Sequence, residues 1–273
     1  MSTATERGPM KGARRLRDGS HIYWWVEILA ILLFYVVYSA VRNMNGSNPP
    51  KAFHNARDII TLEHHLGLFH EATIQSWALH FRPLIITANY LYGSLHFIVT
   101  IWVGVWLFRR YSNDYPRYRN TLAITTAIAL IGFSLFPLMP PRLIDQYAVA
   151  HHFRVHWGFV DTLAKYPTPW SFSSGPAARV SNQYAAMPSV HIAWATWCAL
   201  AMVPRMKTRV RKVLAAAYPV LTLVVIVITA NHYVIDAVGG LAILAIGWFL
   251  GNRFTRAGRP APPDELGTAA FEP

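Results

Sequence analysis

The sequence has one cysteine, Cys198, so an intramolecular disulfide and a multi-cysteine metal site are both excluded. Cys198 is expected to pack inside a helix. Charge is scarce as well: Asp, Glu, Lys and Arg make up 14% of the 273 residues, against 53% hydrophobic residues. An ordinary soluble domain carries about a quarter charged residues, so this composition defines a membrane protein. Acids are the rarer sign, 13 against 25 bases, for a formal net charge of +12. No internal repeat is evident.

What is abundant is apolar sequence in runs near the roughly 20 residues that cross a bilayer. Such runs occupy Ile22 to Val41, Leu84 to Phe108, Thr121 to Met139 and Val213 to Ala230. Val190 to Pro204, which is short, and Val234 to Gly251, with Asp236 near its start, complete a set of six. The expected fold is all-α: a polytopic bundle of six transmembrane helices over 21–252, with an outer interfacial helical segment. The flanking segments 1–20 and 253–273 are expected to be disordered cytoplasmic tails. The first run is about span length and lacks a small-residue cleavage site, so it reads as a retained signal anchor.

The distribution of the cations matters more than their sum. They gather in the N-terminal tail (Arg7, Lys11, Arg14, Arg15, Arg17), at Arg109, Arg110, Arg117 and Arg119, at Arg205 to Lys212, and at Arg253, Arg256 and Arg259. All four groups fall on one face of a six-span topology, which the positive-inside rule makes cytoplasmic. Both termini are therefore expected inside a plasma (inner) membrane. The partners are the bilayer and a lipid, not nucleic acid. Between the first two spans, Ala56 to Phe81 reads as an amphipathic helix or helix pair in the outer interface. Its apolar face would use Ile59, Ile60, Leu66, Phe69, Ile74, Trp77 and Phe81, and Glu63, His64, His65, His70 and Glu71 would form a solvated face. The loop from Leu143 to Ala186 is long enough to be functional, and Phe153, Trp157, Phe159, Trp170 and Phe172 suit an ordered cover at the membrane surface.

Three polar islands interrupt the apolar runs: Pro140-Pro141-Arg142, Met187-Pro188-Ser189-Val190-His191, and Asn231-His232-Tyr233-Val234-Ile235-Asp236. Ionisable groups within spans are costly and mark sites of function. The topology puts all three islands at the outer leaflet. His232 and Asp236, four apart, would share one helix face, with Asp236 fixing the imidazole tautomer and freeing the other nitrogen as a nucleophile. Taken singly, such a pair is more often structural. Pro188 suits a first helical turn, and the free N–H groups there, with the Ser189 hydroxyl, would bind phosphate. His191 would protonate a departing oxygen, and Arg142 would grip phosphate oxygens. Read one by one, Ser189 is an ordinary helix cap, His191 an interfacial histidine and Arg142 a snorkelling cation; only phosphoryl transfer gives all five residues one explanation.

At these islands the sequence resembles the type 2 phosphatidic acid phosphatase superfamily, most closely its aureobasidin-resistance, inositol phosphorylceramide synthase-like branch. The pattern comprises Pro140-Pro141-Arg142, Ala185 to His191, and Asn231-His232-Tyr233 with Asp236 and Gly240. Tyr92-Gly93-Ser94-Leu95-His96 and Gly158 to Thr162 also look like that branch. The resemblance spans roughly Ala56 to Gly251. It implies a helical bundle without metal or cofactor, His232 as nucleophile, Asp236 as its partner, His191 as general acid, and Ser189 and Arg142 as phosphate binders. Other branches carry a lysine, a proline and an arginine where this chain has Leu135, Leu143 and Ile226. Two phosphate-binding cations are therefore missing, and backbone N–H groups, Asn231 or an outer-loop residue are the available substitutes.

The expected function is transfer of a phosphoryl or phosphodiester-linked group from a lipid phosphate to water or to an alcohol such as inositol. A haem- or metal-binding electron-transfer protein built on His96, His191 and His232 is the rival from another class, and an inactive transporter or scaffold of the same fold is a third reading. His96 is otherwise read as a hydrogen-bonded structural residue and Glu27 as a polar contact between helices.

Overall fold

The structure, a computed structural model, describes residues 13–257 apart from 18, 46–47 and 167–182. Most of the expected tails 1–20 and 253–273 and the expected cover residues Trp170 and Phe172 thus lie outside the described residues. The described part of the N-terminal segment forms a small antiparallel hairpin, β1 (Ala13–Arg15) with β2 (His21–Tyr23), in which Arg14 pairs with Ile22. Everything else of regular structure is helical, as the composition leads one to expect.

In chain order the helices are α1 (Trp24–Asn45), α2 (Pro49–Leu66), α3 (Glu71–Leu79), α4 (Arg82–Arg110), α5 (Tyr115–Leu135) and α6 (Pro141–Ala150). They continue with α7 (Thr162–Lys165), α8 (Val190–Met202), α9 (Arg209–Ile228) and α10 (Val234–Ala257). Each of the six expected apolar runs falls on a helix. Three helices, Arg82–Arg110, Arg209–Ile228 and Val234–Thr255, are long and apolar enough to cross a bilayer. α1 carries a shorter apolar stretch, Trp24–Phe34, and α8 has 13 residues, about 20 Å of helix. α5 ends at Leu135, short of the expected Met139, because the chain turns extended before Pro140.

Local signals set most of the boundaries. α2 starts where the Asn48 side chain accepts from Lys51 N–H, with Pro49 and Pro50 in the first turn. It stops at Gly67, whose φ of +67° is the left-handed conformation that lets its N–H return to the Glu63 and His64 carbonyls. Proline also occupies the first turn of α4, α5 and α6. Thr208 caps α9 through Arg211 N–H.

The buried interior forms two main clusters. One joins Val103, Leu107, Tyr118, Trp197, Cys198 and Leu244 across α4, α5, α8 and α10. Cys198 is buried there, as expected. The other joins Phe53, Ile59, Ile60, Leu138, Met139, Ile144, Phe159 and Tyr233 beneath α2 and α6. Large apolar residues cover the outer surface of the long helices, including Ile98, Ile101 and Trp102 on α4, Val213 and Leu214 on α9, and Phe249 on α10. Such a surface suits lipid rather than water, and the chain is a membrane protein. The hairpin, the α4–α5 turn and the turn after α8 meet at one end of the bundle: Arg17 N–H bonds Asn113, Arg119 pairs with Glu27 at 2.7 Å, and Arg205 pairs with Asp114. Glu27 also accepts from the Tyr115 hydroxyl, the helix-to-helix contact expected of it.

The segment between α1 and α4 departs from expectation. It is a helix pair, with Ile59 and Ile60 buried and Leu66, Ile74, Trp77 and Phe81 exposed; the departure is in its polar residues. Of the polar set, His64, His65 and His70 are solvated whereas Glu63 and Glu71 are fully buried. The reason lies far away in sequence: both carboxylates bond backbone N–H groups at the start of α10.

Candidate active site

The three polar islands, separated by up to 90 residues of chain, meet at the opposite end of the bundle from the Glu27–Arg119 pair. The Arg142 N–H donates to the Ala230 carbonyl at 2.8 Å and the Ser189 N–H to the Asp236 carbonyl at 2.9 Å, so backbone bonds stitch the first and second islands to the third. Gly240 makes the second junction possible. A Cβ there would overlap the Ser189 carbonyl oxygen, so only glycine allows α8 and α10 this approach.

His232 does not lie on the helix. It sits in the turn before α10, and Asp236 reaches back from the first helical turn, accepting from His232 Nδ1 at 3.2 Å and from Tyr233 N–H at 3.0 Å. The expected pairing is present, but a helix start rather than a shared helix face produces it. Asp236 is 0% exposed and His232 3%, which removes competing water from the bond. With the ionised Asp236 as acceptor, Nδ1 carries the proton and Nε2 offers a lone pair. That lone pair faces His191 Nδ1 at 3.2 Å.

His191 is held by aromatic neighbours. The Tyr92 ring stacks on it at 4.6 Å between centroids, and the His96 ring lies 4.3 Å away on its other contacts. His96, set aside in the sequence reading, is therefore adjacent to the site, with its own Nδ1 on the Tyr92 carbonyl at 3.2 Å. Axial haem ligation would need two imidazole nitrogens about 4 Å apart with a porphyrin between them. His191 and His232 instead touch directly, at 3.2 Å. Among the described residues, no group of three or more His, Cys, Asp or Glu is arranged to hold a metal ion.

Ser189 occupies the N-cap position of α8, but its side chain makes no capping bond, and Pro188 precedes the helix instead of entering its first turn. The Ser189 hydroxyl is fully buried, with no hydrogen-bond partner among the described residues. An unpaired buried hydroxyl costs roughly 1–3 kcal/mol, a penalty a bound anion would lift. The N–H groups of the first turn of α8 open beside it.

Arg142 sits on the first turn of α6, 4% exposed. Its Nε donates to Asn231 Oδ1 at 3.0 Å and its Nη1 to Asp161 Oδ2 at 2.9 Å. Asn231 is oriented by donating to the Thr229 hydroxyl at 2.9 Å, and the other Asp161 oxygen caps α7 by accepting from the Leu163 and Ala164 N–H groups. Asp161 was not singled out from the sequence, although it lies in the Gly158 to Thr162 segment that carries part of the resemblance. No cation replaces the two missing ones at their positions: Leu135 is 71% exposed, and Ile226 is buried with Ile192, Val227 and Ala237. Asn231, one of the available substitutes, orients Arg142.

The described residues thus bring a buried His–His–Asp chain, an arginine and an unpaired serine together at one end of a helical membrane bundle. A family model described as the PAP2 superfamily matches residues 57–250, most of the chain, and the chain belongs to that superfamily. Membership points to a phosphatase-type enzyme, a phosphatase or phosphotransferase of lipid phosphates. No curated protein and no solved structure matches it.

Proposed function

We propose that this protein moves a phosphoryl or phosphodiester-linked headgroup from a lipid donor, through a covalent adduct on His232, to water or to an alcohol such as inositol. The observation that carries this reading is the chain Asp236–His232–His191, two contacts of 3.2 Å each, ending beside the unpaired Ser189 hydroxyl.

The steps follow from these residues. The donor phosphate enters between the two histidines, displacing their mutual hydrogen bond, and rests on the α8 N–H groups, Ser189 and Arg142. His232 Nε2 attacks phosphorus; the N–P bond forms as the bond to the leaving oxygen breaks, and His191 gives that oxygen its proton. Asp236 balances the charge that the His232 ring gains. In the second half, His191 takes a proton from water or the alcohol, the new oxygen attacks phosphorus, and the N–P bond breaks to restore His232. Buried, prearranged donors act most strongly on the charge that develops in each step.

The absence of cations at 135 and 226 supports the inositol phosphorylceramide synthase-like branch over simple phosphatases. In this reading α1, α4, α5, α8, α9 and α10 are six spans of a plasma-membrane protein, with both termini and the Glu27–Arg119 end cytoplasmic and the site at the outer leaflet. The tails 1–20 and 253–273 flank a single membrane domain, 21–252. Purified protein incubated with labelled lipid phosphomonoesters and phosphodiesters, with and without inositol, tests it. The expected result is label trapped on the protein, absent in His232→Ala, and a new lipid when inositol is present. Full activity of His232→Ala in purified protein sinks the mechanism, and free phosphate as the sole product under all conditions sinks the transferase branch.

A further inference from the structure

The helix that carries Asp236 begins against two buried carboxylates from another part of the chain. Glu71 Oε1 accepts from Val234 N–H at 2.9 Å, and Glu63 Oε1 accepts from Ile235 N–H at 2.8 Å. Each residue is 0% exposed, and among the described residues the second oxygen of each has no donor from any other group. Two ionised carboxylates side by side in such a place repel each other and lack water. Val234 and Ile235 are consecutive, so the two carboxyl groups they hold lie side by side, and one proton between them relieves the repulsion.

The surroundings favour keeping that proton. Burial pushes the Glu63 carboxyl up to about 8, with Glu71 and Asp236 adding to the rise, while the bond from Ile235 opposes it. The titratable groups around the pair are Asp236 of α10 and the Tyr233 phenol in the turn before it, and Tyr233 in turn faces Asp145 of α6.

We propose that Glu63 and Glu71 are positioning residues, a proton-sharing clamp on the first turn of α10 that holds His232 and Asp236 in register and lets go when the shared proton is lost. The pair touches no reacting atom. It acts through Val234 and Ile235, which sit between His232 and Asp236, so any loosening is transmitted to a contact of 3.2 Å. The device sets an alkaline ceiling on turnover. It rests on the proposed role of His232, and its test carries a readout that does not depend on that role.

Glu63→Gln separates the clamp from its proton. A glutamine oxygen still accepts from Ile235 N–H, and its amide donates permanently to Glu71. The wild type is expected to lose turnover as pH rises through about 8, whereas E63Q keeps neutral-pH turnover within about threefold and has this alkaline limb moved up by a unit or more. E63A, which removes the clamp arm, is expected to lower kcat at least tenfold at every pH with KM little changed. Thermal melting of the purified proteins in detergent gives the second readout: the wild-type midpoint falls across the same limb and that of E63Q does not. An unmoved alkaline limb in E63Q, wild-type kcat in E63A, or identical melting profiles for wild type and E63Q would each overturn the clamp. If His232→Ala is active while the melting profiles still diverge, the clamp stands and the role of His232 falls instead.

Discussion

Replacing Gly240 with alanine adds one methyl group, 0.8 kcal/mol or so of ordinary apolar material, yet the structure assigns it a large effect. The new Cβ would overlap the Ser189 carbonyl oxygen, with the Ser189 carbonyl carbon at 3.3 Å and Ala193 N at 3.5 Å. All three are backbone atoms of the α8 start, so no rotamer change relieves the contact and the two helices must part. Overpacking of this kind costs about 1–3 kcal/mol. The functional loss is expected to be larger than the stability loss, because the displaced segment carries Ser189 and His191. A parting of about 1 Å breaks the Ser189 N–H bond to the Asp236 carbonyl and opens the His191–His232 contact, and misplacement on that scale costs roughly a hundredfold in rate. Gly104→Ala is the control: it lies inside α4 with nothing within 4 Å of its added Cβ, so it should gain up to about 1 kcal/mol of helix propensity and leave turnover alone. Turnover of a lipid phosphate and thermal melting, measured on both variants, check the argument. Wild-type turnover in G240A, or equal losses in G240A and G104A, would refute it.

Asp236→Asn should keep the fold while losing the group that fixes the His232 tautomer, with turnover down by roughly 10³–10⁴-fold, read as kcat on purified protein. Asp161→Ala strips a buried partner from Arg142, a change that costs about 3–5 kcal/mol, and should appear as a lower melting midpoint. Stability should also respond to pH through Glu63. Its folded value of about 8 lies above the ordinary 4.5 of a glutamate, so the folded state binds the extra proton between these limits and stability falls as pH rises through that window. The slope contributed is at most about 1.4 kcal/mol per pH unit, and denaturation of wild type and E63Q at pH 6, 7 and 8 should show it as a difference between the two.

How far the sequence reveals this molecule depends on the range of the interaction concerned. Apolar runs locate six helices because span length and periodicity are local properties. The pairing of His232 with Asp236 is legible from a spacing of four, although the structure reaches it from a helix start, where Asp236 also satisfies Tyr233 N–H. Glu63 and Glu71 are misread because a polar residue on an amphipathic helix normally faces water, and nothing within α2 or α3 announces that α10, more than 160 residues on, needs acceptors for its first N–H groups. Asp161 is missed for the same reason: its partner Arg142 is 19 residues away across an irregular loop. His96 and Tyr92 come to His191 by the packing of α4 against α8, which no local pattern encodes.

The cation deficit and the Arg142–Asp161 pair bear on one another. A guanidinium that already balances a buried carboxylate brings little net positive charge to an incoming phosphate, and the positions that would add charge are occupied by Leu135 and Ile226. A dianionic phosphomonoester entering such a site would give up its hydration and meet the carboxylates of Asp236 and Asp161 with one guanidinium to offset them. A phosphodiester carries one negative charge, and neutral donors suffice for it: the α8 N–H groups and the Ser189 hydroxyl, which has no partner among the described residues. The ion pair with Asp161 therefore lowers the net positive charge that Arg142 presents, a feature that fits the proposed headgroup transfer better than hydrolysis of monoesters.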